Sequence, residues 1–467
     1  MPFKALSICL LSSFILASFP QVLAASESKP APNTAAHRSR FEQLELFNKV
    51  LYLIENQYYR SVSTEKLVEG ALKGMMETLD PHTSFLNEQY FKKMQSDTSG
   101  EFGGLGIEVT QRDGMILVIS PIDDSPAFRA GIRPRDRIVE INNVSIVGQG
   151  LDEVIERMRG KNGDTIQLGI VREGSEKIRS FNLKRETIKV NPVKSEMLEG
   201  RIAYIRLTQF QKRAAQAVED SLKALKAKAA KEGGLVGIIL DLRSNPGGLL
   251  DQAVDVSSIF LKEGIVVSTE ARDPQNKDIR YVKKQGYKDL ETPLIVLING
   301  ASASASEIVA GAIQDFERGP IMGLQSFGKG SVQTVAQLDG KVGVKLTIAQ
   351  YLTPKGRRIQ GVGIVPDIQV DDLDYQAFVQ AKRVDRYVRE RDLRNHLTAT
   401  IESAEEKKLR EEWDRQDRAN KREEQKKKAG QPKKNDEEDV FTPYAPSQDY
   451  QVQQASQLLK TIKYLAK

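Results

Sequence analysis

Two residue types with versatile side-chain chemistry are scarce in this sequence. It contains one cysteine, Cys9, and three histidines, His37, His82 and His396. Cys9 lies inside an apolar run near the start, which excludes a cysteine nucleophile or a thiolate metal site anywhere else in the chain. The histidines are far apart, and two of them lie in polar segments. They therefore argue against a Ser-His-Asp triad and against a metal site, and we expect no cofactor.

An excess of charge of one sign is also missing. The chain has 69 Lys and Arg residues against 63 Asp and Glu residues, which gives a formal net charge of +6 spread along its length. Nucleic-acid-binding proteins concentrate basic residues on one face or in one tail, so we predict no nucleic-acid partner. After residue 24, no apolar run is long enough to span a bilayer.

A short targeting segment precedes the predicted fold. Lys4 supplies a positive start, the run ALSICLLSSFILASF is apolar, and QVLA ends on the small residue Ala24. These features predict a signal peptide over residues 1–24, followed by a flexible leader over 25–40. We therefore expect export, most simply to a bacterial periplasm. The alternative is an uncleaved anchor, which would keep the protein associated with the membrane.

Four further regions differ in their hydrophobic patterns. Residues 41–100 show helical spacing, and residues 101–188 show short strand-like runs separated by turns. Between 189 and 372, apolar strands alternate with helical segments, which indicates an α/β domain with buried central strands. Residues 373–467 mix both charges densely and end in an amphipathic helix.

The strand-rich region carries a pattern for peptide binding. FGGLGIEVTQ (102–111) places a glycine-rich turn before a strand, and SPAFRAGIRPRDRIVEINNVSI follows at 125–146. Together these stretches resemble PDZ domains, which bind the C-termini of other chains. The resemblance implies that Leu105, Gly106 and Ile107 hold the terminal carboxylate. The alternative is a PDZ-like module that serves only as a spacer.

Alternating serines follow a buried strand that ends at Ile298. In NGASASASEIVAGAIQD (299–315), a helix begins directly after the run, so free N–H groups and the helix dipole favour a developing negative charge there. Serines two positions apart on a helix point about 200° away from each other. Ser302, Ser304 and Ser306 therefore cannot all face one cleft, and the alternative is that all three only cap or pack.

Two glycine-rich stretches offer the remaining parts of a nucleophilic site. SFGKGSVQT (326–334) places Lys329 between glycines, and a buried lysine can act as a general base. A lysine exposed in a surface turn is the alternative. In DLRSNPGGLL (241–250), the N–H groups of Gly247 and Gly248 could complete an oxyanion hole.

Six motifs in order resemble the carboxyl-terminal processing proteases, also called tail-specific proteases. They span residues 80–370 and comprise LDPHTSFL, the PDZ-like segment, DLRSNPGG, NGASASASEIVAGAIQD, SFGKGSVQ and YLTPKGRRIQGVGIVPDI. The resemblance implies an α/β protease core of the crotonase/ClpP type with an inserted PDZ domain and an N-terminal helical segment.

The same resemblance assigns roles within these motifs. It implies a dyad of nucleophile Ser304 and base Lys329, with Gln333 orienting the lysine. Glu307 and Asp315 are supporting candidates. The oxyanion would bind the N–H of Ala305 together with that of Gly247 or Gly248.

We therefore expect a serine endopeptidase that captures exposed C-terminal tails of protein substrates and cleaves them without a cofactor. A non-catalytic PDZ scaffold is the alternative. By analogy with relatives, the N-terminal helices and the closing helix imply a dimer or larger homo-oligomer, and an adaptor protein is a further expected partner.

Overall fold

The computed structural model describes residues 39–112, 114–122, 124–172, 177–273, 275–371, 388–393, 396–397, 408, 415 and 445–465. The predicted signal peptide, nearly all of the leader and most of the charged C-terminal region lie outside these residues. The chain divides into two compact units, residues 1–70 and 71–467. Each is described by itself.

In the first unit, helix α1 (Arg40–Gln57) begins with a reciprocal cap. Ser39 Oγ accepts a hydrogen bond from the Glu42 N–H, and Glu42 Oε2 accepts one from the Ser39 N–H. The helix buries none of its residues. Its exposed apolar side chains are Phe41, Leu44, Leu46, Phe47, Val50 and Leu53. Helix α2 (Thr64–Glu77) begins in this unit and ends in the next.

The second unit starts with short elements that lead into the strand-rich region. Strand β1 (Ser84–Leu86) is followed by helix α3 (Glu88–Ser99), which Asn87 caps through its side chain. Strand β2 (Glu101–Gly104) pairs with β9 (Glu186–Lys189), so the chain enters and leaves the strand-rich region through one two-stranded ribbon.

Between those two strands lies an antiparallel sheet with its own core. Its order is β3-β4-β5-β7-β8, with β6 beside β5. The elements are β3 (Ile107–Arg112), β4 (Met115–Pro121), helix α4 (Pro126–Arg129), β5 (Arg137–Ile141), β6 (Val144–Ser145), helix α5 (Leu151–Met158), β7 (Thr165–Val171) and β8 (Ile178–Lys184). Among the described residues, strand β3 pairs only with β4 and so lies at the edge of this sheet.

The region predicted as α/β contains a six-stranded sheet of order β10-β11-β12-β15-β16-β19. Strand β10 is antiparallel to its neighbour, and the others run parallel. The strands are β10 (Val193–Leu198), β11 (Ile202–Leu207), β12 (Gly237–Asp241), β15 (Leu294–Ile298), β16 (Ile321–Gly323) and β19 (Ile368–Gln369). Every residue of β12 and β15 is buried, as expected for strands covered on both faces.

Helices from different parts of the chain cover the two faces. One face packs against α6 (Ala214–Ala229), α7 (Leu250–Phe260) and α8 (Ala305–Asp315). The other face packs against α9 (Tyr450–Leu465), whose Val452, Ala455 and Leu459 are buried on it. The C-terminal region therefore supplies part of the core of this α/β domain.

Arg243 joins α9 to the loop after β12. Its guanidinium donates to both oxygens of Asp241, at 2.9 and 2.7 Å, and to both oxygens of Asp449 at 2.9 Å. A further bond of 2.8 Å reaches Gln451 Oε1. Burial opposes ionisation of Asp241, but the charges of Arg243 and Arg206 and the hydrogen bonds from Arg243 and Tyr204 together outweigh it and lower the pKa of this carboxyl.

A second, antiparallel sheet lies in the same unit and was not apparent in the sequence. Its order is β1-β18-β13-β14, and β17 also pairs with β18. The strands after β1 are β13 (Ile265–Ala271), β14 (Ile279–Tyr281), β17 (Ser331–Gln337) and β18 (Gly343–Leu352). Strand β17 begins two residues after Lys329.

Candidate active site

Ser304 lies where the buried strand β15 turns into helix α8. It occupies the position just before the helix, with φ 55° and ψ −112°. A serine in this sparsely populated region is strained unless its surroundings enforce the conformation. The arrangement is that of a nucleophile elbow, in which a sharp turn from strand to helix presents one hydroxyl.

The other two serines of the run are structural. Ser302 Oγ donates to the Leu242 carbonyl at 2.8 Å, and Ser306 Oγ donates to the Asn245 carbonyl at 2.9 Å. Both side chains are fully buried, whereas Ser304 is partly exposed. The two buried hydroxyls fasten the Ser304 turn to the loop after β12.

That loop brings glycines against Ser304. A Cβ on Gly247, whose φ is +99°, would lie 2.8 Å from Ser304 Cβ and 2.9 Å from the Ala305 nitrogen. Only glycine allows this approach. The N–H of Ala305 is the first of helix α8 and has no partner within the helix.

The two glycines differ in their N–H groups. The Gly247 N–H donates to Asn245 Oδ1 at 2.9 Å, so its own loop already uses it. For the Gly248 N–H, no hydrogen-bond partner exists among the described residues. Of the two predicted oxyanion donors, Gly248 is therefore the one available to pair with Ala305.

Glu307 connects the Ser304 turn to the turn that carries Lys329. Its Oε2 accepts from the Ser304 N–H at 2.8 Å and from the Lys329 N–H at 2.9 Å. Because they share one acceptor, these two backbone nitrogens are no more than about 6 Å apart. Glu307 Oε1 accepts from Ser326 Oγ at 2.5 Å and from the Gly328 N–H at 2.7 Å.

The Glu307 carboxyl is fully buried, and burial raises its pKa to about 7, although these four hydrogen bonds act in the opposite direction. The sequence resemblance offered Glu307 only as a supporting residue. The structure places it as the link between the two turns.

Lys329 sits in an environment that favours its neutral form. Burial lowers the pKa of its ammonium, and the positive charge of Lys345 lowers it further, against the negative charges of Glu390, Glu307 and Asp80. Burial also lowers the pKa of Lys345. A lysine of lowered pKa can accept a proton near neutral pH.

Gln333 lies on β17 directly opposite Thr347 of β18, so both side chains leave the same face of the sheet. The Gln333 amide donates to Ser331 Oγ at 2.7 Å. Among the described residues, the side-chain hydrogen bond of Gln333 goes to Ser331. The role of Gln333 in orienting Lys329 therefore stays a prediction.

Asp315 lies at the other end of α8, about 16 Å along the axis from Ser304. Its Oδ2 accepts from the Lys355 N–H at 2.8 Å, and its Oδ1 accepts from Arg357. These contacts hold the loop after β18, so the structure does not bring Asp315 together with the other candidates.

In the strand-rich region, the predicted carboxylate loop lies beside the edge strand β3. Gly106 has φ +71°, and a Cβ there would lie 2.2 Å from Ser125 Cβ. The carbonyls of Leu105 and Gly106 accept bonds from Ala127 and Ile122, which fixes the loop. In the described part of the chain, the N–H groups of Leu105 and Gly106 have no hydrogen-bond partner.

Comparisons with known proteins bear on this geometry. The sequence profile of peptidase family S41 matches residues 201–370, and that of PDZ domains matches residues 103–184. The N-terminal domain profile of the activating protease CtpB matches residues 8–90. The carboxy-terminal-processing protease of Bartonella bacilliformis is 44% identical over 370 residues, which cover 79% of this chain and 84% of that protein. The chain belongs to peptidase family S41.

Other similar S41 proteins have related names. The carboxy-terminal processing protease CtpA of Bacillus subtilis is 37% identical over 338 residues, covering 72% of this chain and 70% of that protein. Among solved structures, a photosystem II D1 C-terminal processing protease is similar, with 30% identity, a TM-score of 0.41, and coverage of 71% of this chain and 93% of that one.

The S41 assignment confirms a serine-type C-terminal processing peptidase with a PDZ domain, and it confirms the predicted α/β fold class. Among the described residues, no cluster of three or more His, Cys, Asp or Glu side chains suits a metal ion. None of the helices in this part of the chain is long and apolar enough to cross a bilayer.

Proposed function

We propose that this S41 peptidase cleaves its substrates with a Ser304–Lys329 dyad. The observation that carries the proposal is the shared acceptor Glu307 Oε2, which holds the backbones of both residues. The strained turn at Ser304 and the lowered pKa of the Lys329 ammonium support the same assignment.

The reaction proceeds through an acyl-enzyme. Ser304 Oγ attacks the scissile carbonyl carbon while neutral Lys329 Nζ takes the hydroxyl proton. The N–H groups of Ala305 and Gly248 stabilise the oxyanion. As the peptide C–N bond breaks, the lysine returns its proton to the leaving amine. Water then attacks the ester with Lys329 again as base, which releases the acid and restores Ser304.

Tail recognition is assigned to the PDZ domain. A substrate's C-terminal carboxylate accepts hydrogen bonds from the N–H groups around Leu105, Gly106 and Ile107, and the tail adds a strand beside β3. Helix α5 flanks the tail, with Val154 in the domain core and Ile155 partly buried next to it.

A cleft of about 1210 Å³ connects the PDZ domain with the protease core. Phe102 and Gly103 line it near the carboxylate loop. Leu249, which follows Gly248 in sequence, and Val335, two residues after Gln333, also line it. This cleft gives a bound tail a path towards Ser304.

Cleavage of a fluorogenic peptide with an apolar C-terminus and a free carboxylate tests the dyad. We expect Ser304→Ala and Lys329→Ala to be equally inactive, because the two residues act as a unit. A peptide with an amidated C-terminus should bind more weakly to Ser304→Ala, as measured by fluorescence anisotropy. If wild type, with candidate adaptors present, cleaves the peptide no faster than background, the alternative function of a non-catalytic PDZ scaffold would be favoured.

We further propose an exported, periplasmic homo-oligomer. The predicted signal peptide supports export, and the exposed apolar residues of α1 support self-association. Fractionation of the bacterium tests the location. Light scattering tests the oligomer, and a monomer mass at all working concentrations would refute it.

A further inference from the structure

A segment beyond the S41 profile contacts the turn that carries Lys329. Residues Glu390–Asp392 form a short 3₁₀ helix, and Glu390 is fully buried. The profile match ends at residue 370. A buried carboxylate is costly unless it is paired, so its partners indicate what this residue does.

Glu390 is tied to both flanks of Lys329. Its own N–H donates to the Phe327 carbonyl at 3.2 Å, two residues before the lysine. On the other flank, the Gly330 N–H donates to Gln360 Oε1 at 2.9 Å, and Gln360 Nε2 donates to Glu390 Oε1 at 3.0 Å. Gln360 is buried as well, at 2% exposure.

The opposite side of the carboxylate is held by His82. Its Nε2 lies 2.6 Å from both Glu390 oxygens. The turn around His82 is fixed in its own right, because the His82 N–H donates to Asp80 Oδ1 at 2.8 Å, and this oxygen also accepts from Thr347 Oγ1 at 3.2 Å. The chain of contacts thus ends on β18, opposite Gln333.

We propose that Glu390 is a positioning residue for the Lys329 base, holding the 327–330 turn through Phe327 and Gln360 and anchored in turn by His82. The inference rests on the proposed dyad. Through Glu390, a segment outside the region matched by the S41 profile sets the place of the base. Glu390 does not touch the reacting atoms in this role; it acts through the backbone on either side of Lys329.

Three variants of the full-length protein test the proposal with the fluorogenic peptide. Glu390→Ala removes the Gln360 and His82 contacts, so kcat should fall about 10- to 100-fold with KM nearly unchanged, as for a displaced catalytic group. Glu390→Gln keeps the size and an acceptor oxygen, and should recover most of the lost kcat. Asp392→Asn alters an exposed acid of the same 3₁₀ helix and should match wild type.

The pH profile separates position from charge. The charged groups that act on Lys329 are Lys345, Glu390, Glu307 and Asp80. Removing the Glu390 charge leaves the others in place and withdraws a stabilising anion from the ammonium. The ascending limb of kcat/KM should therefore move to lower pH in Glu390→Gln, whereas a residue that only stabilises the fold at a distance from Lys329 would not move it.

A second variant guards against misfolding. If Glu390→Ala has lost its native melting transition, Gln360→Ala takes its place. This variant removes the hydrogen bonds from Gln360 to Gly330 and Glu390, and it should lower kcat while KM stays unchanged. Wild-type kcat in a folded Glu390→Ala or in Gln360→Ala would overturn the positioning role. If wild type cleaves no faster than Ser304→Ala, the dyad fails instead, so the two failures are distinguishable.

Discussion

Apart from Glu307, whose carboxyl is shared by both turns, neutral groups hold the loop that presents Ser304, whereas two buried acids hold the turn that presents Lys329. Around Ser304, the fastenings are the hydroxyls of Ser302 and Ser306 and the side chain of Asn245. Around Lys329, they are the carboxyl of Glu307, which accepts from the Lys329 N–H, and that of Glu390, which acts through Gln360. The nucleophile side should therefore respond mainly to packing changes, while the base side should respond mainly to charge and pH.

The largest effect is expected on the nucleophile side, from Gly247→Ala. The new Cβ would push on Ser304 Cβ and on the Ala305 nitrogen, both within 3 Å, and would displace the oxyanion donors. We expect kcat/KM to fall about 10²- to 10³-fold. Gly286→Ala is a matched control, because its φ is +104° but a Cβ there meets nothing within 4 Å. Equal activity of the two variants would contradict the close approach.

Glu307→Gln tests the link between the two sides. Each Glu307 oxygen accepts hydrogen bonds from two donors. In the glutamine variant an NH2 group replaces one of these oxygens, so this new donor faces two existing donors. We expect kcat to fall at least about 10-fold, since unsatisfied buried donors cost about 1–3 kcal/mol each and the turns will shift.

The same variant reveals a pH-dependent stability. The folded-state pKa of Glu307, about 7, lies above the ordinary value of 4.5 for this side chain. The contribution of Glu307 to the free energy of unfolding is therefore fully present below pH 4.5. It is lost as the pH rises through 7, a change of about 3 kcal/mol. Denaturant unfolding at pH 5 and pH 8 should show wild type losing more stability than Glu307→Gln. Parallel losses in both proteins would refute the raised pKa.

A smaller effect is expected from Lys345→Met on the base side. Without the Lys345 charge, the ammonium of Lys329 is less disfavoured, so its pKa should rise. The ascending limb of kcat/KM should move to higher pH, and activity at neutral pH should drop several-fold. Lys341→Met changes an exposed lysine just before β18 and should leave the profile in place.

The smallest effect is expected from Ser306→Ala. The variant loses one buried hydroxyl and leaves the Asn245 carbonyl without that donor, at a cost of about 1–2 kcal/mol in unfolding free energy. The loss should be equal at pH 5 and pH 8, in contrast to Glu307. Ser304→Ala removes a partly exposed hydroxyl and should hardly change the melting temperature.

The nucleophile side was accessible from the sequence because its signals are local. Strand β15 is a continuous apolar run, the helix follows at once, and the two-residue spacing of the serines limits which of them can face a cleft. The expectation that the three serines cannot all face one cleft agrees with the inward bonds of Ser302 and Ser306. The residues alone leave open which of the three serines is the nucleophile, and the family resemblance assigns this role to Ser304.

The base side was less accessible because its contacts are distant in sequence. Glu390 lies in a charged region without apolar periodicity, and nothing local marks it as buried. His82 lies in a turn of its own, and its contact with Glu390 joins two residues that are distant in sequence. The preference for Gly248 over Gly247 depends on which N–H the Asn245 side chain occupies, a detail that spacing does not encode.

Helix α9 has a consequence for biogenesis. It covers one face of the sheet and pairs Arg243 through Asp449 and Gln451, yet it is translated long after the strands it covers. A ribosome-bound chain without α9 leaves an apolar sheet face open and the guanidinium without two of its partners. The α/β core can therefore complete its packing only after this helix has been synthesised.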